Sequence, residues 1–364
     1  MILDFEQIKS ITQGAVKITK SDAGYNFFRF NENELEYYSK TNHAHKSYST
    51  SGIQLEFKTD ATKFSMGGSV KSASSRKYYA FDVFVDGKFI GDIKNYRMDD
   101  MIPDFTTVDF PSDDFSSEFN LGDGEKTVRV VFPWSIAPTV KSVELDGASY
   151  VEPVKKQKKM IMYGDSITQG YDAESPSRQY SVALAYALDA EAYNKAIGGE
   201  IFRPSLSAIR NDIEPDYITV AYGTNDWRNS GSRENFIANA TGFYKNLSQN
   251  YPNAKIFAIS PIWRDGINTG GGFGEFSEIE AKIKEIADGL DNVTFIYGFD
   301  LVPKSTEYFA DLRLHPRNIG FDFYAENLAK KIKDTRKNGD AVLFKASRSM
   351  KLEEIIEATG LAKE

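Results

Sequence analysis

The 364-residue chain has no cysteine. Disulfides, thiolate nucleophiles and zinc sites that need cysteine are therefore excluded. Histidine is scarce, with three in all: His43, His45 and His315. No segment approaches the ~18 uninterrupted apolar residues of a transmembrane helix. The start, Met1-Ile2-Leu3-Asp4-Phe5-Glu6, lacks the basic and apolar regions of a secretory signal. No lysine or arginine run is long enough to form a nucleic-acid face, and a formal net charge of -8 disfavours nucleic acid and anionic membranes as partners. These absences point to a cytoplasmic protein. What is present is a hydrophobic fraction of 41% and an aromatic fraction of 13%, the composition of a folded protein long enough for two cores.

Residues 1–153 read as an all-β domain. Ile53, Leu55 and Phe57 alternate with polar residues, as do Val128, Val130 and Phe132, which is the pattern of half-buried strands. Asp86-Gly87 between two apolar runs signals a hairpin, and Asp123-Gly124 and Asp146-Gly147 mark further turns. The expected fold is a β-sandwich of the jelly-roll kind, with no helix longer than a turn or two. Val154 to Lys159, with four lysines and a glutamine, reads as a solvated linker. From 154 to 338 strands and helices alternate, which implies a parallel sheet covered on both faces. Residues 339–364 add the apolar stretch Ala341–Phe344 and an amphipathic segment, Leu352–Leu361, expected to be a packing extension.

The stretch Met160–Gly170 organises the second domain. Apolar residues run into Gly164-Asp165-Ser166, as in a buried strand that ends in a tight turn and presents a serine before a helix. Such strand ends are where open α/β sheets bind ligands. A serine attacks a carbonyl once a base removes its proton, and histidine is the usual base. His315 is the one histidine in this region; it precedes Pro316 and a predicted helix. Asp311, four residues earlier, can fold back to orient the imidazole. An oxyanion needs donors where its charge develops. The Ser166 N–H, the N–H of Gly199 in Asn194–Glu200, and the Asn225 side chain at the end of a third strand are the candidates.

These blocks resemble the SGNH (GDSL) hydrolase family of serine esterases and lipases. Gly164-Asp165-Ser166 resembles its first block, Asn194–Gly199 its glycine block, Gly223-Thr224-Asn225-Asp226 its Gly-x-Asn-Asp block, and His315-Pro316 its last. The resemblance implies a flavodoxin-like three-layer α/β/α fold, an acyl-enzyme on Ser166, an oxyanion hole from Ser166, Gly199 and Asn225, and no cofactor; no metal site is expected. One departure stands out. The family usually carries its Asp three residues before the His, where this chain has Leu312. Either the loop holds one extra residue and Asp311 still serves, which is the preferred reading, or Ser166 and His315 form a dyad with a backbone carbonyl orienting the imidazole.

A β-sandwich followed by such a domain is similar in layout to carbohydrate esterase family 2. That resemblance implies removal of O-acetyl groups from oligosaccharides of plant polysaccharides. Trp227 and Trp263, near strand ends, are candidates for stacking on sugar rings, with core packing as the alternative. A lipase or thioesterase acting on other acyl esters is the first rival, and a non-catalytic sugar-binding protein the second. The sequence does not fix the oligomeric state.

Overall fold

The computed structural model describes residues 1–97, 100–101, 110–111, 114–267 and 272–334; the extension expected over 339–364 lies outside them. The N-terminal region folds into two antiparallel sheets. One runs β1 (Thr12–Gln13), β4 (Gln54–Thr59), β9 (Lys126–Val131), β6 (Ala80–Val85), β7 (Lys88–Lys94), with β11 (Val151–Pro153) also on β4. The other runs β2 (Lys17–Ser21), β3 (Gly24–Phe28), β10 (Ile136–Asp146), β5 (Lys63–Ser72), β8 (Phe115–Asn120). Alternate residues of both sheets, among them Leu55, Phe57, Phe64, Phe81, Val128, Val130 and Val143, fill one shared core. Two short helices depart from the all-β expectation: α1 (Phe5–Ile11) and α2 (Glu32–Ser39). Each is held by a capping box, Asp4 with Gln7 and Asn31 with Glu34. That spacing was readable in the sequence.

The second region is a five-stranded parallel sheet in the order β13 (Ala190–Asn194), β12 (Lys158–Gly164), β14 (Tyr217–Ala221), β15 (Lys255–Ile259), β16 (Val293–Ile296). The strand β12 shows why both faces are covered. Met160 and Met162 point into a core shared with α4 (Tyr180–Ala187) and α9 (Asn318–Asp334). Ile161 and Tyr163 point into a second core, shared with α7 (Arg233–Asn250) and α8 (Ser277–Asp288). Strands buried on both sides are characteristic of parallel sheets. Three one-turn helices, α3 (Ser166–Gln169), α5 (Pro204–Ser207) and α6 (Asp226–Asn229), follow β12, β13 and β14. Among the described residues no helix is long and apolar enough to cross a membrane.

The segment expected to be a solvated linker is pinned between the two regions. The Lys156 side chain is 4% exposed and its Nζ lies 2.6 Å from Glu56 of β4. Packing between the regions centres on the chain around Ser166. Arg29, fully buried, donates to Asn194 O (2.6 Å) and Ala196 O (3.0 Å). Lys195 is buried against Glu34 of α2 at 2.6 Å. Ser51 Oγ donates to Gln169 O, and Trp134 Nε1 to Ala173 O at 3.2 Å. Breaking a buried pair such as Lys195–Glu34 leaves an uncompensated charge, at a cost of about 3–5 kcal/mol. The sandwich therefore holds both flanks of the Ser166 turn rather than hanging from a tether.

Candidate active site

The strand β12 stops at Gly164, where an added Cβ would lie 2.1 Å from Thr168 Oγ1. Glycine thus lets α3 fold back tightly on the strand end. Asp165 caps α3 by accepting the Ile167 N–H at 2.9 Å, and Gly170, in the left-handed region at φ 102°, closes it. Ser166 is held at the helix start, 5% exposed.

Ser166 Oγ lies 2.8 Å from His315 Nε2. The imidazole is set by a closed loop in which the Ala310 N–H donates to His315 O at 2.8 Å. Asp311 Oδ1 accepts the N–H groups of Arg313, Leu314 and His315 at 3.0, 2.6 and 3.0 Å. Its Oδ2 lies 2.8 Å from His315 Nδ1. The extra residue is absorbed by Leu312, which is 52% exposed and left-handed at φ 53°. One strained residue in solvent lets a carboxylate four positions back reach the ring.

A second carboxylate, absent from the sequence reading, faces the same nitrogen. Asp172 Oδ2 is 3.3 Å from His315 Nδ1. Asp172 is fully buried and adopts φ 69°. It is gripped by Arg76 of the sandwich, Nε to Oδ1 at 2.6 Å and Nη2 to Oδ2 at 2.9 Å, with Tyr78 Oη at 3.3 Å. A non-glycine residue in the left-handed region six positions after a candidate nucleophile leaves no pattern in the sequence.

Burial alone would lower the His315 pKa; hydrogen bonds and charges of Asp172 and Asp311 outweigh it and raise it to about 9. Burial pushes the two carboxyls up, but hydrogen bonds and charge prevail, from Arg76 and His315 on Asp172 and from His315 on Asp311, so both are held below the usual value. The imidazole therefore sits in a pocket built to stabilise its cationic form.

The loop after β13 runs beside the turn that carries Ser166. The Lys195 N–H to Met162 O (2.8 Å), Ile197 N–H to Gly164 O (3.1 Å) and Gly198 N–H to Gln169 Oε1 (2.7 Å) zip residues 195–198 along the end of β12. Gly199 follows at φ 89°, a left-handed position that suits glycine. The Ser166 and Gly199 N–H groups have no acceptor among the described residues. Asn225 Nδ2 donates to Glu200 O at 3.1 Å, which leaves its second amide hydrogen free. Asp226 ties these loops together by accepting the N–H groups of Phe202 and Gly223, both at 3.0 Å. Burial raises its carboxyl to about 7.

His43, from the N-terminal region, lies against Gly199, its Cε1 3.3 Å from where a Cβ would be. Burial, then Lys46, lowers its pKa to about 4. Lys46 Nζ donates to Gly198 O at 2.6 Å.

The two tryptophans part company. Trp227 is 1% exposed, donates Nε1 to Gly274 O at 2.8 Å and packs edge-on against Phe276. It has no face for a sugar, so the stacking role expected for it is withdrawn. Trp263 is half-buried and packs on Phe309 at 5.4 Å.

Residues 162–322 match the GDSL-like Lipase/Acylhydrolase family. No curated protein matches the chain in sequence. Solved structures do. Salicylyl-acyltransferase SsfX3 from a tetracycline biosynthetic pathway is 20% identical with a TM-score of 0.71, over 89% of this chain and 94% of its own. A family two carbohydrate esterase from Clostridium thermocellum in complex with cellohexaose is 18% identical with a TM-score of 0.63, over 89% and 98%. The acetyl xylan esterase Est2A from the rumen bacterium Butyrivibrio proteoclasticus is 16% identical with a TM-score of 0.58, over 92% and 98%. These are likenesses of fold, and they run through both regions of the chain.

Proposed function

We propose that the chain, whose residues 162–322 match the GDSL-like lipase/acylhydrolase family, is a carboxylic ester hydrolase, a serine esterase that removes O-acetyl groups from carbohydrates. The observation that carries the reading is the line Ser166 Oγ, His315 Nε2, His315 Nδ1, Asp311 Oδ2, with both contacts at 2.8 Å. Ser166 attacks the acetyl carbonyl while His315 takes its proton. The N–H groups of Ser166 and Gly199 and the amide of Asn225 hold the oxyanion. Collapse of the tetrahedral species expels the sugar hydroxyl, protonated by His315. Water, activated by the same imidazole, then releases acetate. Asp311 and the buried Asp172 keep the imidazole oriented and stabilise its charge when it holds the proton.

The family two esterases among the similar folds support an acetylated oligosaccharide as the substrate. The sandwich, which we take to be of the jelly-roll kind, shapes the cleft through Lys46, His43 and Arg76. The test is acetate release from a panel of acetylated xylan, mannan and glucan oligosaccharides, with release from at least one expected and release from none counting against the reading. A chain-length series of p-nitrophenyl esters addresses the lipase or thioesterase alternative. We expect kcat/KM to be highest for acetate and to fall at least tenfold by octanoate; a rise with chain length would favour the alternative. Asn225→Ala removes one oxyanion donor. It should lower kcat by about 10²–10³-fold with little change in KM, and an unchanged kcat would take Asn225 out of the site.

A further inference from the structure

Among the described residues the deeply buried cations have partners, with one exception beside the Asn225 block. Lys195 lies on Glu34, Lys156 on Glu56, and Arg76 on Asp172. Arg29 donates to carbonyl and hydroxyl oxygens. Arg129, which lacks acceptors, is sandwiched between the rings of Phe84 and Tyr186, 4.5 and 4.0 Å from their centroids. Arg264 has neither kind of partner. It is 4% exposed, and its Nη1 reaches only Thr224, at 3.5 Å to O and 3.3 Å to Oγ1. Its Nε is enclosed without an acceptor. No carboxylate among the described residues pairs with it, and no ring lies over it.

Its position ties that unmatched charge to the hydrolytic centre. Thr224 precedes Asn225 in the chain. Asp265, next to Arg264, donates its N–H to Arg313 O at 2.9 Å, two residues before His315. Arg264 thus sits where the Asn225 block meets the His315 loop. Exposed Arg228 and Arg313 lie close enough to act on its charge: its pKa is pushed down to about 10, first by burial, then by Arg313 and Arg228, against the weaker opposing pull of Asp165 and Asp311, neither of which forms an ion pair with it. Neither of these exposed arginines has a carboxylate partner among the described residues. Asp165 and Asp311 offset part of this repulsion from a distance, but no carboxylate among the described residues bonds to the buried guanidinium, whose Nε stays without an acceptor.

We propose that Arg264, with Arg228 and Arg313, forms an anion subsite of this centre, and that the ester it hydrolyses carries a carboxylate that docks there. The proposal rests on the esterase reading, and the carboxylate has two sources of one chemistry: a uronic acid residue in the acetylated oligosaccharide, or a dicarboxylic acyl group in place of acetyl. A carboxylate suits a guanidinium because it can accept two parallel charge-assisted hydrogen bonds.

Two near-isosteric pairs of esters test this. In 4-acetoxybenzoate against 4-acetoxybenzamide the charge lies on the alcohol side; in p-nitrophenyl hydrogen succinate against its methyl ester it lies on the acyl side. The anionic member of one pair should be favoured at least tenfold in kcat/KM, and that pair names the side. Arg264→Gln should cut the anionic-to-neutral ratio at least tenfold, Arg264→Lys should restore part of it, and Arg313→Gln, at an exposed position, should cut it a few-fold. No preference in either pair, or a ratio unmoved by Arg264→Gln, overturns the subsite. Titration with succinate and with glucuronate, followed by tryptophan fluorescence, reads the site without turnover, and saturable binding of either one should be lost in Arg264→Gln. If p-nitrophenyl acetate is hydrolysed but neither acid binds and neither pair discriminates, the subsite falls and the esterase reading stands. If an acid binds through Arg264 but no ester is hydrolysed, the esterase reading falls and the subsite stands.

Discussion

Ser166→Ala will lose at least about 10⁴-fold in hydrolysis of p-nitrophenyl acetate, and His315→Ala will do the same. Each removes one end of the 2.8 Å contact through which, in the proposed mechanism, Ser166 is deprotonated. The double variant should be no worse than either single one, because groups that act as a unit are grossly non-additive. Folding should survive. The alanine forfeits one hydrogen bond, worth about 1 kcal/mol net, which moves the melting temperature of a domain this size by only about 2–4 °C. Activity within tenfold of the wild type in a purified Ser166→Ala protein would remove Ser166 from the chemistry, and a melting temperature lowered by tens of degrees would mean that a structural loss had been misread as a catalytic one.

The contact between Ser166 and His315 was legible for a physical reason. Gly164 and Gly199 stand where the backbone is crowded or left-handed, and such positions restrict residue choice. The strands were legible because burial on two faces leaves continuous apolar runs. What escaped notice was held by long-range pairing. Lys156 reads as solvated until Glu56, a hundred residues earlier, appears beside it. Trp227 lies next to the Asn225 block in sequence yet points into the core shared with α7 and α8. The sandwich looked separable because its contacts with the second region, from Arg29, Ser51, Arg76 and Trp134, are single side chains scattered over a hundred residues. The two short helices are a different case, since their capping boxes are local and could have been read.

Asp172 bears directly on the question of triad or dyad, because the structure sets two carboxylates rather than one on the Nδ1 side of His315. An orienting aspartate that acts alone costs about 10⁴-fold when replaced by asparagine. Here Asp311→Asn leaves Asp172 at 3.3 Å and Asp172→Asn leaves Asp311 at 2.8 Å. Each single variant should therefore lose only about 10–100-fold, and the double variant the full 10⁴-fold or so. The pH profile carries an independent sign. Only neutral His315 can take the Ser166 proton, and the two carboxylates raise its pKa to about 9 against burial. In the wild type kcat/KM should climb with pH through the alkaline range. Removing either carboxylate lowers the imidazole pKa, so the acid limb should move to lower pH in both single variants and further in the double one. Stability runs the other way. A folded pKa above the ordinary 6.5 stabilises the fold fully below that pH, and the contribution is lost as pH rises through about 9. The fold thus gives up part of the imidazole's stabilisation across the same window in which the base becomes active, and either asparagine variant should narrow that window. If Asp311→Asn alone cost 10⁴-fold while Asp172→Asn left both rate and limb in place, Asp172 would be no more than an anchor for Arg76. If the costs were reversed, the residue that completes the triad would be the one tied to the sandwich, and the two regions of the chain would share one catalytic unit.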